Sequence, residues 1–292
     1  MKKPLFIGSA VAIVTPFTDN GVDYQTLAQL IEFQIKGGSD AIVVCGTTGE
    51  ASTMPDNEHI AVVKFAVETI NKRVPVIAGA GSNDTRHAIE LSKAMEAVGA
   101  DGILSVTPYY NKATQKGLYE HFKLIAAHVK IPIILYNVPG RTNVNLNPET
   151  IQALSKIHNI IAIKECNLGQ VGDVVNLCGE DFVVYSGDDN MVLPVLSLGG
   201  RGVISVMANI IPQDTHNMVV KFIEGDSKGA MKLQLQTLNL IKSLFSEVNP
   251  IPIKAAVKLM GFTAGSCRMP LTELSDNNLE ILRAEMKVYG LI

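Results

Sequence analysis

The apolar positions of this chain follow two alternating rhythms. Short β-branched runs, nearly continuous in hydrophobicity, fall at about Gly8 to Thr15, Ala41 to Cys45, Val74 to Ala78, Gly102 to Val106, Ile133 to Asn137, Ile160 to Lys164, Phe182 to Ser186 and Gly202 to Ser205. Short runs with little alternation are expected of strands buried on both faces, as in parallel sheets. Between them apolar residues return at helical spacing, as in Tyr24, Leu27, Ile31 and Ile35, in Ile60, Val63, Val67 and Ile70, and in Ile89, Leu91 and Met95. Asp84, Asn147 and Asp189 stand where N-caps belong, and Gly37-Gly38, Gly99 and Gly199-Gly200 where helices should stop. Eight strand-then-helix units with short turns predict an α/β fold, a (β/α)8 TIM barrel over residues 1–225. No Gly-x-Gly-x-x-Gly opens the first helix, which weakens the case for a dinucleotide-binding, doubly wound sheet. Beyond the eighth strand only helix-compatible sequence remains, about Asp214 to Glu224, Lys228 to Phe245, Pro252 to Met260 and Asp276 to Val288. Residues 226–292 are therefore expected to form a C-terminal helical extension packed on the barrel, helping assembly, rather than an independent domain.

Composition narrows the functional classes. The 292 residues are 47% hydrophobic with a net charge of −3, an ordinary globular balance that offers no basic field to nucleic acid or an anionic membrane. The N-terminal stretch is interrupted by Pro16 too soon for a signal peptide, and no apolar run approaches the roughly 20 residues that span a bilayer. Cys45, Cys166, Cys178 and Cys267 are widely spaced, which argues against a disulfide framework or a structural zinc site and suits a cytoplasmic location.

If the barrel is right, chemistry sits at the strand C-termini and the loops that follow them. There Lys164 closes an apolar strand, and apolar walls can lower an ammonium's pKa until the neutral amine is a usable nucleophile. An isolated lysine in such a place is most often a solvated loop residue; its neighbours change the reading. Strict alternation puts Ala162 and Lys164 on the inner face and Ile161 and Ile163 on the outer one. After the second strand, Gly46-Thr47-Thr48-Gly49-Glu50 supplies close backbone approach, two hydroxyls and several N–H groups, a set able to hold a carboxylate. The fourth strand ends in Thr107-Pro108-Tyr109-Tyr110, and the fifth in Tyr136-Asn137-Val138-Pro139-Gly140-Arg141-Thr142. Phenols beside a nucleophilic lysine can relay the protons that imine formation requires, and the planar fork of Arg141 matches a carboxylate. Asp188 and Asp189 read either as caps of the next helix or as metal ligands. All six histidines fall in helical segments or their flanks, so a histidine-based metal centre has no strand-end ligands, and Cys166 has no adjacent histidine to activate it.

Taken jointly and in order, Gly46-Thr47-Thr48-Gly49-Glu50, Thr107-Pro108-Tyr109-Tyr110, Tyr136-Asn137-Val138-Pro139-Gly140-Arg141-Thr142, Ile163-Lys164-Glu165 and Ser186-Gly187-Asp188-Asp189 resemble the motifs of the dihydrodipicolinate synthase and N-acetylneuraminate lyase superfamily. The resemblance spans nearly the whole chain. It implies a lysine that forms a Schiff base with pyruvate, and the arginine after the tyrosine motif resembles the synthase branch, in which that side chain holds the carboxylate of L-aspartate-4-semialdehyde. The implied reaction is condensation of the two to 4-hydroxy-tetrahydrodipicolinate, towards diaminopimelate and lysine. By the same resemblance Lys164 is the nucleophile, Tyr136 the proton donor and acceptor, and Thr47 and Tyr110 complete a relay in which Tyr110 serves a neighbouring subunit. Thr48 and Ile204 are implied to contact pyruvate, Thr48 at its carboxylate, with Gly187 close to the keto acid. No metal or organic cofactor is implied, and the implied assembly is a homotetramer of two tight dimers. Lysine-inhibited relatives carry His or Trp at the position of Asp56 and Glu at that of His87, whereas Asn83, Tyr109 and His59 remain at effector-cleft positions. Weak or absent inhibition by lysine is therefore expected, over a vestigial cleft. Two other readings stay open, a sugar-acid or hydroxy-oxoglutarate lyase of the same superfamily and a catalytically silent barrel.

Overall fold

The computed structural model describes residues 2–292. Eight parallel strands close into a barrel in sequence order: β1 (Gly8–Ala12), β2 (Ala41–Val44), β3 (Val76–Gly79), β4 (Gly102–Val106), β5 (Ile133–Asn137), β6 (Ile160–Glu165), β7 (Val183–Ser186) and β8 (Gly202–Ser205), with β8 pairing back onto β1. Helices α1 (Tyr24–Lys36), α2 (Asp56–Ile70), α3 (Thr85–Ala97), α4 (Gln115–His128), α5 (Pro148–Ser155), α6 (Val171–Cys178), α7 (Val192–Ser197) and α8 (Pro212–Ile223) follow the strands in turn. The C-terminal helices are α9 (Ser227–Leu244), α10 (Ile251–Leu259) and α11 (Asp276–Tyr289). The (β/α)8 architecture with C-terminal helices is thus the one the hydrophobic rhythm predicts. No helix among the described residues is long and apolar enough to cross a membrane.

Two apolar layers follow from the strand alternation. Side chains such as Val11, Ile42, Val44 and Ile163 pack outward against the helices. Ala10, Val43, Ile77, Ile134, Ala162 and Ile204 fill the barrel, with Phe6 stacked on Tyr185 at 4.3 Å between ring centroids.

Several local expectations need correcting. Ile161 lies in the inner layer, not beside Ile163, because a register shift pairs Ile133 with Ile160 but Ile134 with Ala162. That bulge inserts one residue, so alternation holds only from Ala162 onward. The first strand stops at Ala12 instead of Thr15; the Val14 N–H is taken by Asn209 Oδ1 at 3.0 Å and leaves the ladder. Asp84 caps α3 by accepting from Arg86 N, whereas Asn147 occupies the α5 cap position without a side-chain capping bond. Asp189 caps nothing. Its carboxylate accepts from Val206 N at 3.1 Å and Met207 N at 2.8 Å, pinning the loop after β8. A two-residue hairpin, Phe17–Thr18 with Gly21–Val22, went unread, although its Asn20-Gly21 pair is a turn signal.

Candidate active site

The loop after β2 is the most constrained part of the strand-end face. Cys45 and Glu50, at its two ends, both have left-handed backbone, with φ of 53° and 57°. Such geometry is unfavourable for non-glycine residues and persists only where surroundings impose it. Thr15 Oγ1 donates to the Gly49 carbonyl at 2.7 Å, and Asn249 Nδ2 donates to Thr48 Oγ1 at 3.0 Å. Glu50 is buried and accepts from Lys254 Nζ at 2.6 Å and from Arg268 N at 2.8 Å. Gly79 leaves the loop its room, since a Cβ there would lie 2.0 Å from the Cys45 carbonyl oxygen.

Lys164 lies on β6 opposite Tyr136 of β5 in the parallel register, and its ammonium stands 4.6 Å from the centre of that ring. Only 5% of Lys164 and 7% of Tyr136 is exposed. Burial lowers the Lys164 pKa, outweighing the pull of the nearby Asp189 and Asp188 carboxylates. Burial likewise raises the Tyr136 phenol, partly offset by the Arg141 charge and a hydrogen bond with Thr47. Asp188 is raised by the same desolvation, against the attraction of Lys164.

A cavity of about 460 Å³ opens beside Tyr136, and neither Lys164 nor Asp188 is on its wall. Its wall includes Thr47, Tyr136 and Arg141, together with Asp56, His59, His87 and Tyr109, so these three strand-end residues share one space with four of the expected effector-cleft residues, whereas Thr48, Gly187 and Ile204 are not on the wall. Ile204 lies in the barrel interior below. Gly187 sits where a Cβ would come within 2.3 Å of Cys166 Sγ. Thr48, within the loop after β2, is buried, and Arg141 Nη2 donates to the Asn249 carbonyl at 3.1 Å.

Not every expected residue joins the group. Tyr110 is 90% exposed, is not on the cavity wall and has a left-handed φ of 74°. Asn83 is engaged by its carbonyl, which accepts from Asn111 Nδ2 at 2.9 Å, and it is not on the wall. His87 Nε2 lies 3.0 and 3.1 Å from the two Asp56 carboxylate oxygens, and His59 Nε2 lies 2.9 Å from the Gly79 carbonyl.

Sequence reasoning missed two groups. One is the set Asn249, Lys254 and Arg268, whose side chains or amides hold the β2 loop from the far end of the chain; no local pattern announces a contact across 201 residues. The other is the polar nest behind Lys164. Glu165, on the opposite face of β6, accepts from Asn137 Nδ2, Gln170 Nε2 and Asn167 N at 2.7 to 2.8 Å, yet burial still pushes its carboxyl up to about 7. Its signal was visible in part, as a glutamate placed by alternation on an outer, apolar face.

Comparison with known proteins bears on the family and the fold. A model of the dihydrodipicolinate synthetase family matches residues 5–288. The 4-hydroxy-tetrahydrodipicolinate synthase of Acetivibrio thermocellus is 64% identical over 292 residues, covering all of both chains. The crystal structure of dihydrodipicolinate synthase from Aquifex aeolicus superposes with a TM-score of 0.96 at 46% identity, over 98% of this chain and 99% of that one. That of the chloride-inhibited enzyme from Acinetobacter baumannii, complexed with pyruvate, does so with the same score and identity, over 98% and 100%.

Proposed function

The chain belongs to the dihydrodipicolinate synthetase family, and from that premise we infer that it condenses pyruvate with L-aspartate-4-semialdehyde to 4-hydroxy-tetrahydrodipicolinate, a lyase step of lysine and diaminopimelate biosynthesis. The single observation that carries the site assignment is the buried Lys164 ammonium 4.6 Å from the Tyr136 ring, with burial favouring the neutral amine.

In this reading the free amine of Lys164 attacks the keto carbon of pyruvate, and loss of water leaves a protonated imine. Loss of a proton from the adjacent methyl group gives an enamine, whose carbon attacks the aldehyde. The amino group of the second substrate then displaces Nζ and closes the ring, regenerating the lysine. Each step moves a proton, and we assign its carriage to Tyr136 with Thr47, a role supported by the hydrogen bond between them. Thr48 takes the pyruvate carboxylate, Ile204 and Gly187 bound the keto acid, and Arg141, on the cavity wall, takes the carboxylate of the aldehyde substrate. The lysine itself supplies the electron sink, so the reaction calls for no cofactor.

Tyr110 belongs to the same relay in a neighbouring copy. Its 90% exposure and left-handed backbone support a side chain held outward for a partner, and we assign the chain a homotetramer built from two tight dimers on that basis and on the family resemblance. Four free thiols support a cytoplasmic setting.

The test is mass spectrometry after borohydride reduction in the presence of pyruvate. A reduced pyruvyl adduct on Lys164 alone is expected. Labelling elsewhere, or turnover near the wild-type rate in Lys164→Ala, overturns the assignment.

A further inference from the structure

Asn249 lies in the connection between α9 and α10, outside the barrel, yet it touches both groups assigned to substrate carboxylates. Its Nδ2 donates to Thr48 Oγ1 at 3.0 Å and its main-chain carbonyl accepts from Arg141 Nη2 at 3.1 Å. The residue is 5% exposed, and its Oδ1 is buried without a partner. An orphaned buried acceptor is costly, so an apolar residue would serve better if Asn249 only filled space.

The chemistry of a hydroxyl gives the contact its meaning. Threonine has one O–H proton and two acceptor lone pairs. With an amide N–H on one lone pair, the Thr48 proton is left to donate elsewhere. A hydroxyl orienting itself for an anion needs this arrangement, because its proton must point at the ligand before the ligand arrives. The loop backbone does not depend on Asn249 alone for its place, since Thr15, Lys254 and Arg268 also hold Gly49 and Glu50.

We propose that Asn249 is a positioning residue for the condensation, acting through Thr48 to orient its hydroxyl towards the carboxylate of pyruvate. The proposal rests on the role given to Thr48 above.

A double-mutant cycle tests it, with Asn249→Ala, Thr48→Val and the pair assayed in steady state, alongside thermal melts. Losing one neutral hydrogen bond of ordinary strength corresponds to about three- to tenfold in affinity. Asn249→Ala is therefore expected to raise the pyruvate KM by about that factor, with kcat and the aldehyde KM within about twofold. In the Thr48→Val background the same change should have less than about a twofold effect. An unchanged pyruvate KM, an equal rise for both substrates, or a full effect in the Thr48→Val background overturns the proposal. Should Asn249→Ala fold poorly, Asn249→Leu removes the same donor at similar size without adding a charge and repeats the cycle with the same criteria. Borohydride trapping of the wild-type chain keeps the two readings apart. Failure to trap Lys164 refutes the proposed chemistry, whereas trapping with an additive cycle refutes only the role of Asn249.

Discussion

Glu50→Gln should destabilise this protein more than its single-atom change implies, and the loss should shrink as the pH rises. Glu50 and Lys254 form an ion pair at 2.6 Å with side chains 1% and 2% exposed. Removing one partner of such a pair costs about 3–5 kcal/mol, because the remaining charge is buried without compensation. After the substitution Lys254 keeps the Ser266 carbonyl at 2.9 Å, the Phe17 ring at 4.2 Å and at best a neutral amide oxygen, with no opposite charge. For a chain of this size each kcal/mol moves the melting temperature by roughly 2–4 °C, so a fall of at least about 6 °C is expected.

The pH dependence follows from Lys254 itself. Burial already lowers its pKa, and loss of Glu50 removes the principal opposing influence. Between that depressed value and 10.5 the unfolded chain binds more protons than the native one, so stability rises with pH across the window. The deficit of Glu50→Gln relative to wild type should therefore be larger at pH 6.5 than at pH 9. Glu50→Gln with Lys254→Met, which leaves neither charge, should recover much of the loss. Thermal and urea melts at the two pH values provide the assay. A melting temperature within about 2 °C of wild type, or a deficit that grows with pH, refutes the reasoning.

Arg141→Ala should weaken use of the aldehyde by the roughly 2–5 kcal/mol of a lost charge-assisted fork while leaving the pyruvate KM within about threefold; equal losses for both substrates in steady-state assays point to a structural role instead. Tyr136→Phe should lower kcat by about 10²- to 10⁴-fold with an unchanged melting temperature, and near-normal turnover removes Tyr136 from the relay. Mixing inactive Lys164→Ala and Tyr110→Phe chains under conditions of subunit exchange should restore part of the activity, and a fully active monomer in sedimentation experiments contradicts the shared site. Because His87 already engages the Asp56 carboxylate at 3.0 Å, lysine should half-inhibit only above about 1 mM at sub-saturating pyruvate; potency below that shows that the cleft has found another partner for an ammonium.

The barrel was legible because each of its strands is buried on both sides and so carries an uninterrupted apolar run. The same property placed Thr47, Tyr136, Arg141 and Lys164 on one face, since every parallel strand delivers its C-terminus there. Illegible features were those decided by a contact remote in sequence or by one residue of register. Ile161 turned inward because of a bulge opposite Ile133, which no local alternation reveals. Asp189 looked like a helix cap in its own neighbourhood, but two amides after β8 claim its carboxylate. Asn249 falls between the helix-compatible segments Lys228 to Phe245 and Pro252 to Met260, and its partner Thr48 lies in the second βα loop, 201 residues away.

These remote contacts explain why the helical extension cannot be regarded as an accessory to a self-sufficient barrel. The turn that brings Thr47 and Thr48 over the strand ends uses left-handed backbone at both Cys45 and Glu50, a conformation costing of order 1–3 kcal/mol per residue and stable only when its surroundings over-determine it. Of the side chains and amides that do so, Thr15 belongs to the barrel, while Asn249, Lys254 and Arg268 all come from beyond α9. Arg268 also pairs with Glu58 of α2 and lies over the Phe17 ring at 4.0 Å, tying the same segment to the helix that follows the loop. The strain that shapes the turn bearing Thr47 and Thr48 is thus offset by residues outside the barrel. Changes that loosen the extension should accordingly appear first as altered pyruvate binding, before they appear as loss of the barrel.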